Sequence, residues 1–275
     1  MRSMPPSSSP RDARLRERLR ARICALLSAQ SRIGWLALGL LLVLLAWEVA
    51  ALAVGKELVL PSPGRVLGAA LALYPTRGFL LDLGATFLRG LAAFAISSAL
   101  GIAAGLASGL RPNFGAILAP LLAVIRATPV LALVLIALLW FPSGFVPVFS
   151  AFLMAFPIMV TSAEEGSRAA DPRLLEMAQL FRVPERESFL RLRLPSATPH
   201  LLSGAKSALG LCWKVVVAGE ILSQPARAIG RGMQDSRLML ESAAVFAWAI
   251  AAIFLCGVTE GFFTFATKKV LRRGI

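Results

Sequence analysis

The chain has 275 residues, 57% apolar and 16% charged, with a mean hydropathy of +0.73, a formal charge of +14 and a pI near 11.3. Soluble domains are about 45–50% apolar, so this composition excludes an ordinary water-soluble fold and points to several membrane-spanning helices. The positive charge does not indicate nucleic acid: the arginines lie between apolar runs, with no basic stretch interleaved with aromatics, which is how membrane-flanking charge is placed.

Residues 1–32 are Ser/Pro-rich and then Arg-rich. Leu15, Leu19, Ile23 and Leu26 recur there at helical spacing, predicting a basic amphipathic helix on the inner membrane surface; a solvated tail is the equal alternative. Arginines precede Cys24 where a lipoprotein or cleavable signal would need an apolar core, so neither is expected. Six apolar spans follow: Ile33 to Val54, Leu83 to Gly109, Asn113 to Phe141, Ser143 to Ala163, Pro199 to Leu222 and Ala243 to Thr267. Pro120, Pro129, Pro142, Pro147 and Pro157 punctuate the third and fourth, predicting kinks or breaks. The expected fold is therefore an all-α polytopic bundle, with a cytoplasmic segment 1–32 and a membrane domain 33–275.

Orientation follows from basic residues. Of 29 Lys and Arg, 19 fall in segments 1–35, 107–115, 166–198 and 268–275, against 6 in segments 55–82 and 223–242. The positive-inside rule then puts both termini in the cytoplasm. Gly101, Gly105 and Gly109 share one helix face, a close-packing signal for a seam within the subunit or between subunits. Cys212 and Cys256 lie in apolar runs without metal-ligand spacing and read as small buried side chains.

The longest inner segment, 166–198, is the most informative. It reads Asp171-Pro-Arg-Leu-Leu-Glu-Met-Ala-Gln-Leu-Phe-Arg182, then Val183-Pro-Glu-Arg-Glu-Ser-Phe-Leu-Arg-Leu-Arg-Leu-Pro195. An inner connection above thirty residues is far longer than a mean loop and argues for a dedicated role. The segment resembles the EAA loop of binding-protein-dependent ABC importer permeases, with Glu176, Ala178, Leu192, Leu194 and Pro195 at matching positions. Met177 replaces the middle Ala, and Arg182 stands where the family has a Gly that ends a helix in a left-handed conformation. A helix–turn–helix is still expected, its turn moved by a residue or two toward Val183-Pro184.

Further similarity lies in Leu60-Pro-Ser-Pro63, in Arg89-Gly-Leu-Ala-Ala-Phe94 with Leu100-Gly-Ile-Ala-Ala-Gly105, in Leu139-Trp-Phe-Pro142 (a Gly again lost) and in Ala218-Gly219-Glu220. Together these resemble the nitrate/sulfonate/taurine branch over roughly residues 33–270. The resemblance implies a type I importer permease working as a homodimer in the lipid bilayer of the inner membrane. An extracytoplasmic binding protein would deliver solute, and two cytoplasmic ATPases would grip the loops. ATP and Mg would then sit on those ATPases, with no cofactor or metal in this chain. Glu176, Met177, Ala178, Arg182, Leu192, Leu194 and Pro195 become the ATPase-coupling set, with Pro195 and Pro199 carrying the loop rigidly into the fifth span.

Charged groups inside a bilayer are costly and mark functional candidates. Arg126, Lys214 beside Trp213, and Glu220 form the candidate substrate pathway; the two cations suit a sulfonate, taurine or nitrate, pairing with an acid is the alternative for Lys214, and structural capping or pairing is the equal alternative for Glu220 near the outer face. Lys206 and Glu260 lie near helix ends and can snorkel, and Glu48 sits near the outer end of the first span. His200, the single histidine, reads as structural or solvated. Gly204-Ala-Lys-Ser207 superficially matches a phosphate loop, lacks its upstream Gly and lies in an apolar helix, so no ATP site is expected. No catalytic constellation is visible. The competing readings are a permease of the same type for a vitamin precursor or amino acid, and an ATP-independent secondary transporter or channel, for which inverted repeats are missing.

Overall fold

The computed structural model describes residues 34–273, with side chains through Lys269. The predicted N-terminal amphipathic helix, Cys24 and the first residue of the first span lie outside them. The described residues fall into two compact units divided between Gly64 and Arg65.

In the first unit, α1 (Gly34–Val54) is long and apolar enough to cross a bilayer, and its leucines are exposed, Leu36 and Leu52 at 72% each. That suits a helix whose solvent is hydrocarbon. After Gly55 reverses the chain at φ 61°, the Trp47 indole donates to the Pro61 carbonyl at 3.1 Å, fastening the Pro-Ser-Pro segment to α1.

The second unit starts within α2 (Pro63–Leu73). α3 (Arg77–Leu110) begins six residues before the predicted span, because Thr76 caps it: its hydroxyl accepts from the Phe79 amide at 3.2 Å. Arg111, held extended by Pro112, ends it. α4 (Pro112–Ala127) and α5 (Val130–Trp140) together replace the predicted third span, meeting at 102° across Thr128-Pro129. The expected break is thus at Pro129, which forces extended backbone on Thr128, whereas Pro120 and Pro157 sit inside continuous helices.

α6 (Val146–Arg168), α7 (Pro172–Leu180) and α8 (Glu185–Ser188) lead through a π-helical stretch, Phe189–Arg193, into α9 (Leu194–Ser223). α10 (Ile229–Leu238) and α11 (Ser242–Arg273) complete the chain. Among the described residues, five helices can cross a membrane, or six when the bent α4–α5 pair counts as one. Six crossings return the chain to its starting side, in agreement with the charge bias that places both ends in the cytoplasm. The segments predicted as plain outer loops contain α2 and α10. α2 is apolar but only 11 residues long, and α10 carries Arg231, Gln234, Asp235 and Arg237, so neither registers as a span.

α6 is the core of the bundle, packed between α3 and α9. A Cβ on Gly105 would lie 2.6 Å from Ala163 Cβ, one on Gly109 2.8 Å from Ser167 Cβ, and one on Gly101 3.3 Å from the Phe156 carbonyl. The glycine face is therefore an α3–α6 seam within the subunit. Met159, Cys212 and Val216 fill the centre at 0% exposure, which fits the apolar role expected of Cys212. Toward the outer end Phe79, Ile229 and Trp248 form a second cluster. Tyr74 stacks on Phe79 at 4.7 Å and donates its hydroxyl to the Ala247 carbonyl at 2.8 Å; burial raises this phenol above its usual pKa, so the donor stays protonated.

Candidate functional site

The inner loop is built as two helices around one strained residue. Asp171 caps α7, its carboxylate accepting from the Arg173 amide at 2.9 Å, and Pro172 occupies the first turn. At the other end, the Val183 amide bonds the Ala178 carbonyl at 2.9 Å and the Arg182 amide bonds Gln179 at 3.0 Å. Those two bonds make a Schellman closure with Arg182 at its left-handed position, φ 52°. The expectation that the turn shifts past Arg182 is corrected: the backbone keeps the family geometry, and Arg adopts the conformation that suits Gly.

Pro195 causes the π-helical stretch. Its ring nitrogen cannot bond the Arg191 carbonyl, and the Leu194 amide reaches back to Phe189 instead. Ser196 and Thr198 hydroxyls donate to the Leu192 and Leu194 carbonyls at 2.8 and 3.0 Å. Helix thus runs unbroken for 39 residues, Glu185–Ser223, from loop to outer end, as the Pro195 and Pro199 reading expects. Where the chain enters and leaves the loop, Gly166 packs on Ala197; a Cβ on Gly166 would come 3.0 Å from Ala197 Cα.

Of the coupling set, Ala178 is buried at 7%, anchoring α7 inward, while Glu176, Met177, Arg182 and Pro195 are exposed and Leu192 and Leu194 half-buried. α7 turns an apolar face outward: Leu174, Met177, Leu180 and, one residue beyond, Phe181 are exposed by 43%, 52%, 81% and 73%. Behind it a cleft of about 600 Å³ is lined by Leu110, Arg111, Val183 and Phe189, among others.

The intramembrane candidates separate into two groups. Glu220 has no exposed surface. Its carboxylate accepts from Arg89 Nη1 at 2.8 Å, from the Thr86 hydroxyl at 2.9 Å and from the Gly230 amide at 3.2 Å. Thr86 in turn accepts from the Ile229 amide at 3.0 Å, so the first two free N–H groups of α10 are taken up by Thr86 and Glu220 respectively. Arg89 also donates to the Gly144 and Arg227 carbonyls at 3.2 and 2.7 Å. Glu220 is therefore the joint of α3, α9, α10 and the α5–α6 connection, the pairing that the sequence leaves open beside solute contact. Trp213 is buried over Gly90 and stacked on Phe87 at 5.9 Å.

Lys214 and Arg126 form the second group. Lys214 is exposed in mid-span and makes no salt bridge among the described residues. Arg126, also exposed, sits one residue before the α4–α5 break and donates to the Pro157 carbonyl at 3.3 Å and to the Thr161 hydroxyl. Around it a cleft of about 240 Å³ is lined by Ser108, Gly115, Thr161 and Glu164. His200 is exposed beside Glu165 and Arg168. Gly204 of the phosphate-loop lookalike lies buried on Ser162 within α9. No group of three His, Cys, Asp or Glu residues suited to a metal occurs among the described residues. Thr86 and Gly230 escape a sequence reading because they are 134 and 10 residues from their partner and carry no spacing signal.

Residues 97–272 match the family described as binding-protein-dependent transport system inner membrane component. The chain belongs to this family. The permease is thus a multi-pass inner-membrane subunit of an ABC importer, and a transport subunit rather than an enzyme. Taurine transport system permease protein TauC of Escherichia coli (strain K12) is 29% identical over 79% of this chain and 82% of its own. SsuC of Bacillus subtilis (strain 168), provisionally named an aliphatic sulfonates transport permease, is 27% identical over 88% and 89%. Bicarbonate transport system permease protein CmpB of Synechococcus elongatus (strain ATCC 33912 / PCC 7942 / FACHB-805) is 29% identical over 60% and 63%. These relatives agree with the nitrate/sulfonate/taurine resemblance. In fold, the permease is similar to the MetNI methionine ABC transporter in an inward-facing crystal form. The TM-score is 0.53 at 16% identity, covering 72% of this chain and 95% of that one.

Proposed function

We propose that this permease carries a small anion inward, sulfonate-like or an inorganic oxyanion, and is driven by a separate ATPase that docks on α7. The single observation behind the docking is the exposed apolar face Leu174, Met177, Leu180 and Phe181, on a loop assigned to the aqueous side. Faces of that kind mark protein contacts. The unbroken Glu185–Ser223 helix gives such a contact a stiff route into the bundle, as a switch between inward-open and outward-open states requires. Anion preference is supported by Lys214 and Arg126, exposed in the membrane without a carboxylate partner among the described residues, and by the similarity to permeases named for sulfonates and bicarbonate. A second copy of the permease and an extracytoplasmic binding protein complete the assembly; ATP and Mg sit on the ATPase.

The test is purification in gentle detergent with mass spectrometry of the retained chains. Wild type should retain an ATPase, and the Leu180→Ser/Phe181→Ser variant should lose it while staying in the membrane. Equal retention by both would remove α7 as the dock. In uptake assays Lys214→Met should lower anion import by about tenfold, the loss of one charge-assisted contact; unchanged import removes Lys214 from the pathway. A vitamin precursor or amino acid captured by the binding protein would replace the anion reading.

A further inference from the structure

One charged groove lies apart from the coupling loop and from Arg126. Between α9 and α11, Lys206, Gly257, Gly261, Thr264, Phe265 and Lys268 line a groove of about 380 Å³. Glu260 closes its deep end, where it accepts from Cys256 Sγ at 3.4 Å; a Cβ on Gly210 would come 3.4 Å from its Cδ. Two lysines against one carboxylate leave the groove cationic. Glu260 is eight residues, roughly 12 Å, deeper than Lys268 at the inner end of the last span. Lys206, one turn before Gly210, is at a similar depth. Side chains lean toward their own helix N-terminus. α9 runs outward and α11 inward, so the two lysines enter the same groove from opposed helices, and both line it.

The groove's apolar wall is a notch: nothing lies within 4 Å of a Cβ built on Gly257 or Gly261. It opens beside Ile253, Phe254 and Phe262, exposed by 71%, 72% and 73%, on a span with only 17% of its apolar window buried. The neighbouring medium is therefore acyl chain, and neither lysine has a salt-bridge partner among the described residues. The geometry points to a binding site for the phosphate of an inner-leaflet anionic phospholipid, its acyl chain lying in the glycine notch. A basic pocket between spans at cytoplasmic headgroup depth is the arrangement that recognises such a lipid. The site needs only the membrane placement of the chain and does not rest on an anionic solute.

The experiment is native mass spectrometry of the full chain, titrated separately with phosphatidylglycerol and phosphatidylcholine. Wild type should prefer phosphatidylglycerol by at least about fivefold, the weight of one net cation at an anionic surface. Lys206→Gln/Lys268→Gln should lose that preference while still retaining phosphatidylcholine, and Gly257→Leu should weaken both lipids. Equal lipid preference in wild type and the double variant overturns the site. So does displacement of the lipid by inorganic phosphate or methanesulfonate at equal concentration, which would make the groove a free-anion site. A double variant that keeps its lipid preference but dissociates from a second copy would make it a subunit seam instead.

Discussion

The outer and inner ends of the helical bundle are finished differently. At the outer end the buried charges of α3 and α9 find partners inside the chain: Glu220 takes three donors, and Arg89 divides its own among Glu220, Gly144 and Arg227. At the inner end the chain leaves large apolar side chains uncovered on α7 and holds a turn in a costly conformation at Arg182. The outer network closes within the chain although Leu238, Met239 and Leu240 stay exposed nearby and Leu240 is itself left-handed at φ 60°; at the inner end the α7 face has no such network behind it. Buried ionic networks resist the loss of any single member, while exposed apolar faces add nothing to folding and are free to serve association.

Breaking the outer end should give the largest effect. Glu220→Leu leaves the Arg89 guanidinium without its carboxylate and the Gly230 amide without an acceptor, a loss of about 3–5 kcal/mol. Thermal unfolding of the detergent-solubilised permease should show it, and a variant as stable as wild type would mean the network contributes little. Next comes the α3–α6 seam. Gly105→Ala forces a methyl toward Ala163 and Val160 and should destabilise by about 1–3 kcal/mol, measured the same way. The smallest effect sharpens the contrast at the inner end. Arg182→Gly relieves a left-handed non-glycine and should stabilise the loop by about 1 kcal/mol. Slower proteolysis between α7 and α8 would register that gain, and no change would mean that Arg182 is held at no cost.

What the sequence reveals divides along the same line. Spans, the break in the third span and the two-helix inner loop are legible because they depend on local composition, proline chemistry and short spacing. The loop's exact turn is not, because the αL penalty of Arg182 points past this residue while the two Schellman bonds that hold it there form only in the fold. Lys214 and Arg126 stand out as charges in apolar runs, and so does Glu220, but charge alone does not say whether a partner waits. The partners of Glu220, Thr86 and Arg89, are more than 130 residues away and become visible only once α3, α9 and α10 are packed together. α2 is missed because its apolar run is too short to read as a span, and α10 because it is both short and polar.

The separation of Arg89 from Glu220 also sets an order in time. The two residues are 131 positions apart. At about 5–20 residues per second, the ribosome finishes Glu220 roughly 7–26 s after Arg89. Through that interval α3 resides in the membrane with an unneutralised guanidinium, which can reach the outer headgroups because it lies toward that end of the span. Only when α9 and the first turn of α10 arrive does the arginine turn inward, so the latch that fastens the outer end is among the last parts of the subunit to form.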